Sequence, residues 1–257
     1  MSAVAEVLWT GARHQLQTMR VGWRVAVIVA AIQPVVFLLI TLGAWPDGSA
    51  AATTRSATGV LLTAFWGATV WGGAAILRRE RAEGTIGALL TGVRDPRLVL
   101  VGKAFGASLG SVATIMTTIA LVLALLGRPV AVAEPGWYAV GLLAVLASGT
   151  ALGTLLSCLF LMTRHGPELS SALMYPVFLL AGLLIPVDMI PAWLRPAAWV
   201  VSLHWAQRFL TGSAQGAPDW PALGAVVLLT VGYLGAGIAL FGRIGRLVRE
   251  RGTVDHS

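Results

Sequence analysis

Between Leu77 and Lys103 the chain reads LRRERAEGTIGALLTGVRDPRLVLVGK, with nine charged residues set between two long apolar runs. Charges at that density cannot sit in hydrocarbon, so the segment belongs in water against a membrane face. The runs on either side have the opposite problem, because they carry nothing that water would reward. A chain with this pattern has to thread a bilayer on both sides of a hydrophilic elbow.

Composition supports that reading. Only 11% of the 257 residues are charged and 57% are hydrophobic, with a mean hydropathy of +0.81. An average soluble domain is about 25% charged. The net charge of +7 falls on residues flanking apolar spans, so anionic lipid is the expected partner and nucleic acid is not. The one cysteine, Cys158, lies in an apolar run, which excludes an internal disulfide framework. The first apolar run starts after a polar segment of about 24 residues and is too long for a signal-peptide core, so it reads as a retained span. The preference for Arg, Ala and Gly fits a GC-rich bacterial genome.

Six uncharged spans are predicted: Val25–Trp45, Gly59–Leu77, Ala104–Leu126, Tyr138–Leu161, Leu169–Val187 and Ala222–Phe241. Each is near the length that crosses about 30 Å of hydrocarbon. Pro34 should kink the first, and Pro176 and Pro186 interrupt the fifth. Pro46–Arg55 reads as a polar link. Ahead of the spans, Leu8, Ala12, Leu16, Met19 and Trp23 recur at helical spacing, opposite Arg13, Gln17, Arg20 and Arg24. That is the pattern of an interfacial helix with its apolar face down and its arginines toward lipid phosphates. Between spans five and six, Pro186–Pro221 reads as short helices dipping into the outer leaflet. The expected fold is a single all-α transmembrane domain over 1–257.

Of the 18 basic residues, 14 fall on the side of the 77–103 segment; Arg55, Arg128, Arg195 and Arg208 fall on the other. The positive-inside rule then places both termini and the elbow in the cytoplasm. Trp45, Trp137, Trp193, Trp199, Trp205 and Trp220 gather toward the outer interface as an aromatic belt. Gly102, Gly106 and Gly110, like Gly149 and Gly153, recur every four positions and allow close helix contact.

Chemistry of its own is hard to find. The Gly102–Lys103 pair lacks the rest of a phosphate-binding loop, with Arg97 where a Gly is needed and Ala104 where Ser or Thr is needed. The four histidines have no metal-ligand spacing. No predicted span holds Asp, Glu, Lys, Arg or His, so there is no intramembrane charge to carry a coupling ion. Ser148–Gly149 superficially fits the nucleophile of a six-span serine protease, but no histidine lies in a span to serve as its base. An immunity or scaffold role without a transport cycle is a further alternative. The remaining expectation is work supplied from outside. In the elbow, Gly84–Thr85 reads as a helix start with Glu80 and Glu83 just ahead of its positive end. Ile86, Leu89, Leu90 and Val93 make one apolar face, and Asp95–Pro96 ends the helix. A short helix joined rigidly to two spans would act as a lever.

These residues carry a resemblance. Glu80–Arg81, Glu83–Gly84–Thr85–Ile86, Leu89–Leu90 and Gly102–Lys103 are similar to the stretch between spans two and three of ABC-2-type transporter membrane subunits, the bacterial drug and antibiotic exporters. Gly182–Leu183–Leu184–Ile185–Pro186, Pro191–Ala192–Trp193–Leu194 and Leu203–His204–Trp205–Ala206 resemble a second family stretch. Gly87 stands where the family usually has Glu, so no ATPase contact is assigned there. The resemblance implies a plasma-membrane permease subunit with no ATP site of its own and no cofactor, paired with a second permease and driven by separate ABC ATPase subunits that bind the ATP. It implies that 84–93 is the coupling helix, with Glu80, Glu83, Gly84, Thr85, Ile86, Leu89 and Leu90 at the ATPase contact. It also implies that spans two and five line the path of an amphipathic or hydrophobic solute (drug, antibiotic or lipid-like), with Phe65, Trp66, Trp71, Met174, Tyr175 and Phe178 as candidate wall residues.

Overall fold

A computed structural model describes residues 3–21, 23–44, 49–91, 95–163, 168–172, 177 and 195–251, and every element among them is helical. The helices are α1 (Ala3–Val21), α2 (Trp23–Ala44), α3 (Ala50–Ala68), α4 (Ile76–Ala82), α5 (Ile86–Thr91), α6 (Pro96–Leu125), α7 (Pro135–Met162), α8 (Arg195–Ala198), α9 (Ser202–Ala214) and α10 (Trp220–Arg251). A five-residue π turn, Thr69–Gly73, joins α3 toward α4. Among the described residues, four stretches are long and apolar enough to cross a membrane: Ala50–Ala82, Pro96–Leu125, Pro135–Met162 and Trp220–Arg246. Pro34 lies inside α2, which contains a shorter apolar stretch, Ala31–Gly43. The predicted fifth span falls almost wholly outside the described residues.

The predicted boundaries shift for local reasons. The second span opens at Ala50 and not Gly59, because the Ser49 hydroxyl accepts from Ala52 N at 3.2 Å and caps the helix. Residues 50–55 of the expected polar link are therefore helical, and Arg55 rides on α3. The third span gains two turns at its start. Asp95 accepts from Arg97 N at 2.9 Å, and Pro96 takes the first helical position. Asp95–Pro96, expected to end one helix, opens the next. The last span runs on to Arg251.

The apolar edge of α1, expected to face lipid, is seated on α6. A Cβ on Gly102 would lie 2.5 Å from Leu8 O, and one on Gly106 would collide with Ala12 O. The glycine stripe thus admits α1 with backbones nearly touching, the two helices running in the same chain direction. Ala12 is fully buried, while Arg13 and Gln17 point outward as their stripe demanded.

The core sits around α3. The apolar window of that span is 78% buried, against 11% for α10, so α10 is a peripheral helix with an apolar outer face. One cluster packs Phe65, Trp66 and Val70 against α7 and α9. A second packs Ile76, Leu77 and Ile86 against α6, α7 and α10. The predicted tryptophan belt is partly visible: Trp137 and Trp220 meet edge to face at 4.5 Å, and Trp205 Nε1 donates to Trp199 O at 3.0 Å. Trp45 and Trp193 lie outside the described residues.

Candidate functional site

The elbow forms because α4 is stopped by a glycine. Gly84 has φ +70°, a conformation that costs a side-chain-bearing residue free energy. Gly84 N donates to Arg81 O at 3.1 Å, and Thr85 N donates to Glu80 O at 2.9 Å. This pair of bonds is a Schellman termination. Gly84, expected to start a helix, therefore ends one. Thr85 opens the next, its carbonyl accepting from Leu89 N at 3.0 Å. The predicted helix 84–93 begins at Ile86 and is described as far as Thr91; residues 92–93 lie outside the described residues.

One carboxylate ties the elbow down. Glu80 accepts from the Thr85 hydroxyl at 2.7 Å and from the Lys103 ammonium. Lys103 is the only lysine in the chain, and its side chain is 9% exposed, that of Glu80 12%. An ion pair so shielded is sensitive to the loss of either member, because the partner left alone is a buried charge. Helices α4 and α6 and the start of α5 thus converge on one atom group.

The seven elbow residues separate into two sets. Glu80 and Ile86 point inward, and Leu89 packs partly buried against the second core cluster. Glu83, Gly84 and Thr85 are exposed, together with Ala82, Gly87 and Ala88. Leu90 lies in α5, but its side chain is outside the description, as are residues 92–94. Among the described residues the outward surface is therefore formed by Ala82, Glu83, Gly84, Thr85, Gly87 and Ala88, and Ile86 and Leu89 anchor α5 to the helices behind it.

A second feature went unread in the sequence. The π turn displaces the following backbone, and Leu77 N donates to Ser157 Oγ of α7 at 3.0 Å. Ser157 is fully buried. Just ahead, Gly73 and Gly153 approach so closely that a Cβ on Gly73 would lie 3.3 Å from Gly153 Cα. A π turn inside a spanning helix concentrates bending at one place. The only advance signal was the small-residue spacing that includes Gly153.

Three of the candidate wall residues, Phe65, Trp66 and Trp71, fall among the described residues. Phe65 and Trp66 are 2% and 5% exposed, in the subunit core. They border a void of about 10 Å³, large enough for one water and far too small for a solute. Trp71, in the π turn, is 49% exposed. Met174, Tyr175 and Phe178 lie outside the described residues. Ser148 Oγ sits 2.8 Å from Ser202 Oγ, so its hydroxyl joins α7 to α9 in an interhelical bond.

Comparison with known proteins adds the context for this geometry. No curated protein matches the chain. The family model described as ABC-2 type transporter matches residues 6–214, from α1 through the elbow to the end of α9. An anchored elbow between two long apolar helices, in a chain matched over most of its length, therefore has one reading: the chain belongs to the ABC-2 type transporter family, the membrane permease components of ABC transporters.

Proposed function

We propose that this permease component exports an amphipathic or hydrophobic solute, working as a dimer of permease subunits in a bacterial plasma membrane. A separate ABC ATPase supplies the energy through the elbow, and both termini face the cytoplasm. The observation that carries this reading is the anchoring of α5. Its inward face is packed through Ile86 and Leu89, and the helix ahead of it is tied to α6 through Glu80 and Lys103. A push on the exposed Glu83–Ala88 surface moves α4 and α6 together instead of deforming a loop. Differential contact of the ATPase with the two positions of the elbow then shifts the permease between its states. The π turn at Thr69–Gly73 is where α3 bends in response. Trp71, with the exposed ring, is the wall residue of the described span, and Phe65 and Trp66 hold the core behind it.

The test is co-expression with a neighbouring ATPase gene. Ala88→Arg places a bulky cation on the outward face, where nothing inside the subunit depends on it. The variant should insert normally and lose the co-purifying ATPase. Unchanged co-purification would overturn the assignment of the elbow as the docking element.

A further inference from the structure

At the end of the bundle opposite the elbow, a recess of about 20 Å³ lies between the first turns of α3, the loop joining α6 to α7, and the end of α9. Its walls are firmly held. The Thr54 hydroxyl lies 3.0 Å from both the carbonyl oxygen and the amide nitrogen of Ala131. The hydroxyls of Thr58 and Tyr138 share a 2.8 Å hydrogen bond. The loop itself is strapped to α9, with Ala133 N donating to Ala214 O and Glu134 N to Ser213 O, at 3.0 and 3.1 Å.

Three side chains bring hydrogen-bond donors to this recess: the Arg55 guanidinium, the Thr211 hydroxyl and the Gln215 amide. Among the described residues none of the three has a protein partner. The contrast on the same helix is Arg208, which pairs with Asp219 at 2.7 Å and stacks over Trp205 at 5.3 Å. Arg55 stands near the positive end of α3, whose dipole adds to its field. A planar guanidinium lining the same rigid recess as a hydroxyl and an amide, with inner space for an oxygen atom of a ligand whose remainder stays outside, is complementary to an oxyanion. We propose that this recess is an oxyanion site, taking the phosphate or carboxylate of a lipid headgroup or of a small free anion. The site is independent of the export reading, since it involves neither the elbow nor the solute path.

The experiment uses the purified full-length protein in a non-ionic detergent. Native mass spectrometry measures retention of phosphatidylglycerol against diacylglycerol, which lacks the phosphate. Wild-type protein should retain the phospholipid selectively. Arg55→Ala should weaken retention about tenfold, the loss of a charge-assisted pair, and Gln215→Leu should weaken it severalfold. Arg128→Ala, at a half-buried arginine that does not line the recess, should leave it unchanged. Arg55 is exposed, so an unaltered melting temperature for its variant will confirm that the fold is intact. Displacement of the lipid by millimolar inorganic phosphate would identify a free anion as a ligand. Arg55-dependent retention that phosphate cannot compete away would identify the headgroup. Equal retention by wild type and Arg55→Ala, or an equal loss in Arg128→Ala, would overturn the proposal.

Discussion

The Lys103 ammonium on α6 donates into the Glu80 carboxylate on α4, across 23 residues of chain and largely out of reach of water. Removing one member strands the other. Lys103→Met should therefore cost about 3–5 kcal/mol, and Lys103→Met/Glu80→Leu should recover most of it. Thermal unfolding in detergent measures both. Because Lys103 is the only lysine, an amine-reactive label located by peptide mapping reports on the elbow: wild-type Lys103 should resist labelling, and Glu80→Gln should expose it.

The seam between α1 and α6 is unforgiving where backbone meets backbone. A Cβ on Gly106 would strike the carbonyl of Ala12, whereas one on Gly110 meets only the flexible ends of Leu16 and Met19, at 3.1 and 3.3 Å. Gly106→Ala should lose about 1–3 kcal/mol through overpacking, and Gly110→Ala should lose clearly less. Protease cleavage at the exposed Arg13 will rise in the first variant as α1 lifts away. Equal cleavage in the two would show that α1 is not held by this stripe.

Ser157→Ala removes the acceptor of the Leu77 amide. A buried N–H without a partner costs about 1–3 kcal/mol. Faster hydrogen exchange at Leu77, with little change at the far end of α3, is the expected signature. Uniform acceleration along α3 would mean that Ser157 supports the whole helix and not the kink.

Two glycines near each other in the elbow should respond oppositely to alanine. Gly84 holds φ +70°, so Gly84→Ala should destabilise by about 1–2 kcal/mol. Gly87 is helical, and a Cβ there meets nothing within 4 Å. Gly87→Ala should be neutral or stabilise by up to about 1 kcal/mol. The difference in melting temperature between the two variants checks the termination geometry.

Trp66 is buried and Trp71 exposed, so truncating each in turn separates core packing from the proposed path. Trp66→Ala empties a buried site and should cost about 3–5 kcal/mol. Trp71→Ala removes an exposed ring, so it should leave melting nearly unchanged while altering solute efflux by cells expressing the full transporter. If efflux is untouched, Trp71 is not part of the wall.

Hydropathy alone determined that this chain is helical and lives in a membrane, because each apolar run has to satisfy its backbone internally wherever water is absent. Charge density placed the elbow, and four-residue spacing marked Gly102, Gly106 and Gly110 as a contact stripe. What that stripe touches was decided only in three dimensions: α1 has an edge that suits lipid and glycine backbone equally well, and nothing local chooses between them. The same holds for Glu80 and Lys103. Each reads as an ordinary charge at the end of a span, and their pairing exists because the α4 termination at Gly84 turns the chain back beside α6. Ser157, a small polar residue in an apolar run, acquires its role from a π turn on another helix. Periodicity and charge are properties of a segment, whereas a buried partner is a property of two segments meeting, and tertiary packing supplies the second.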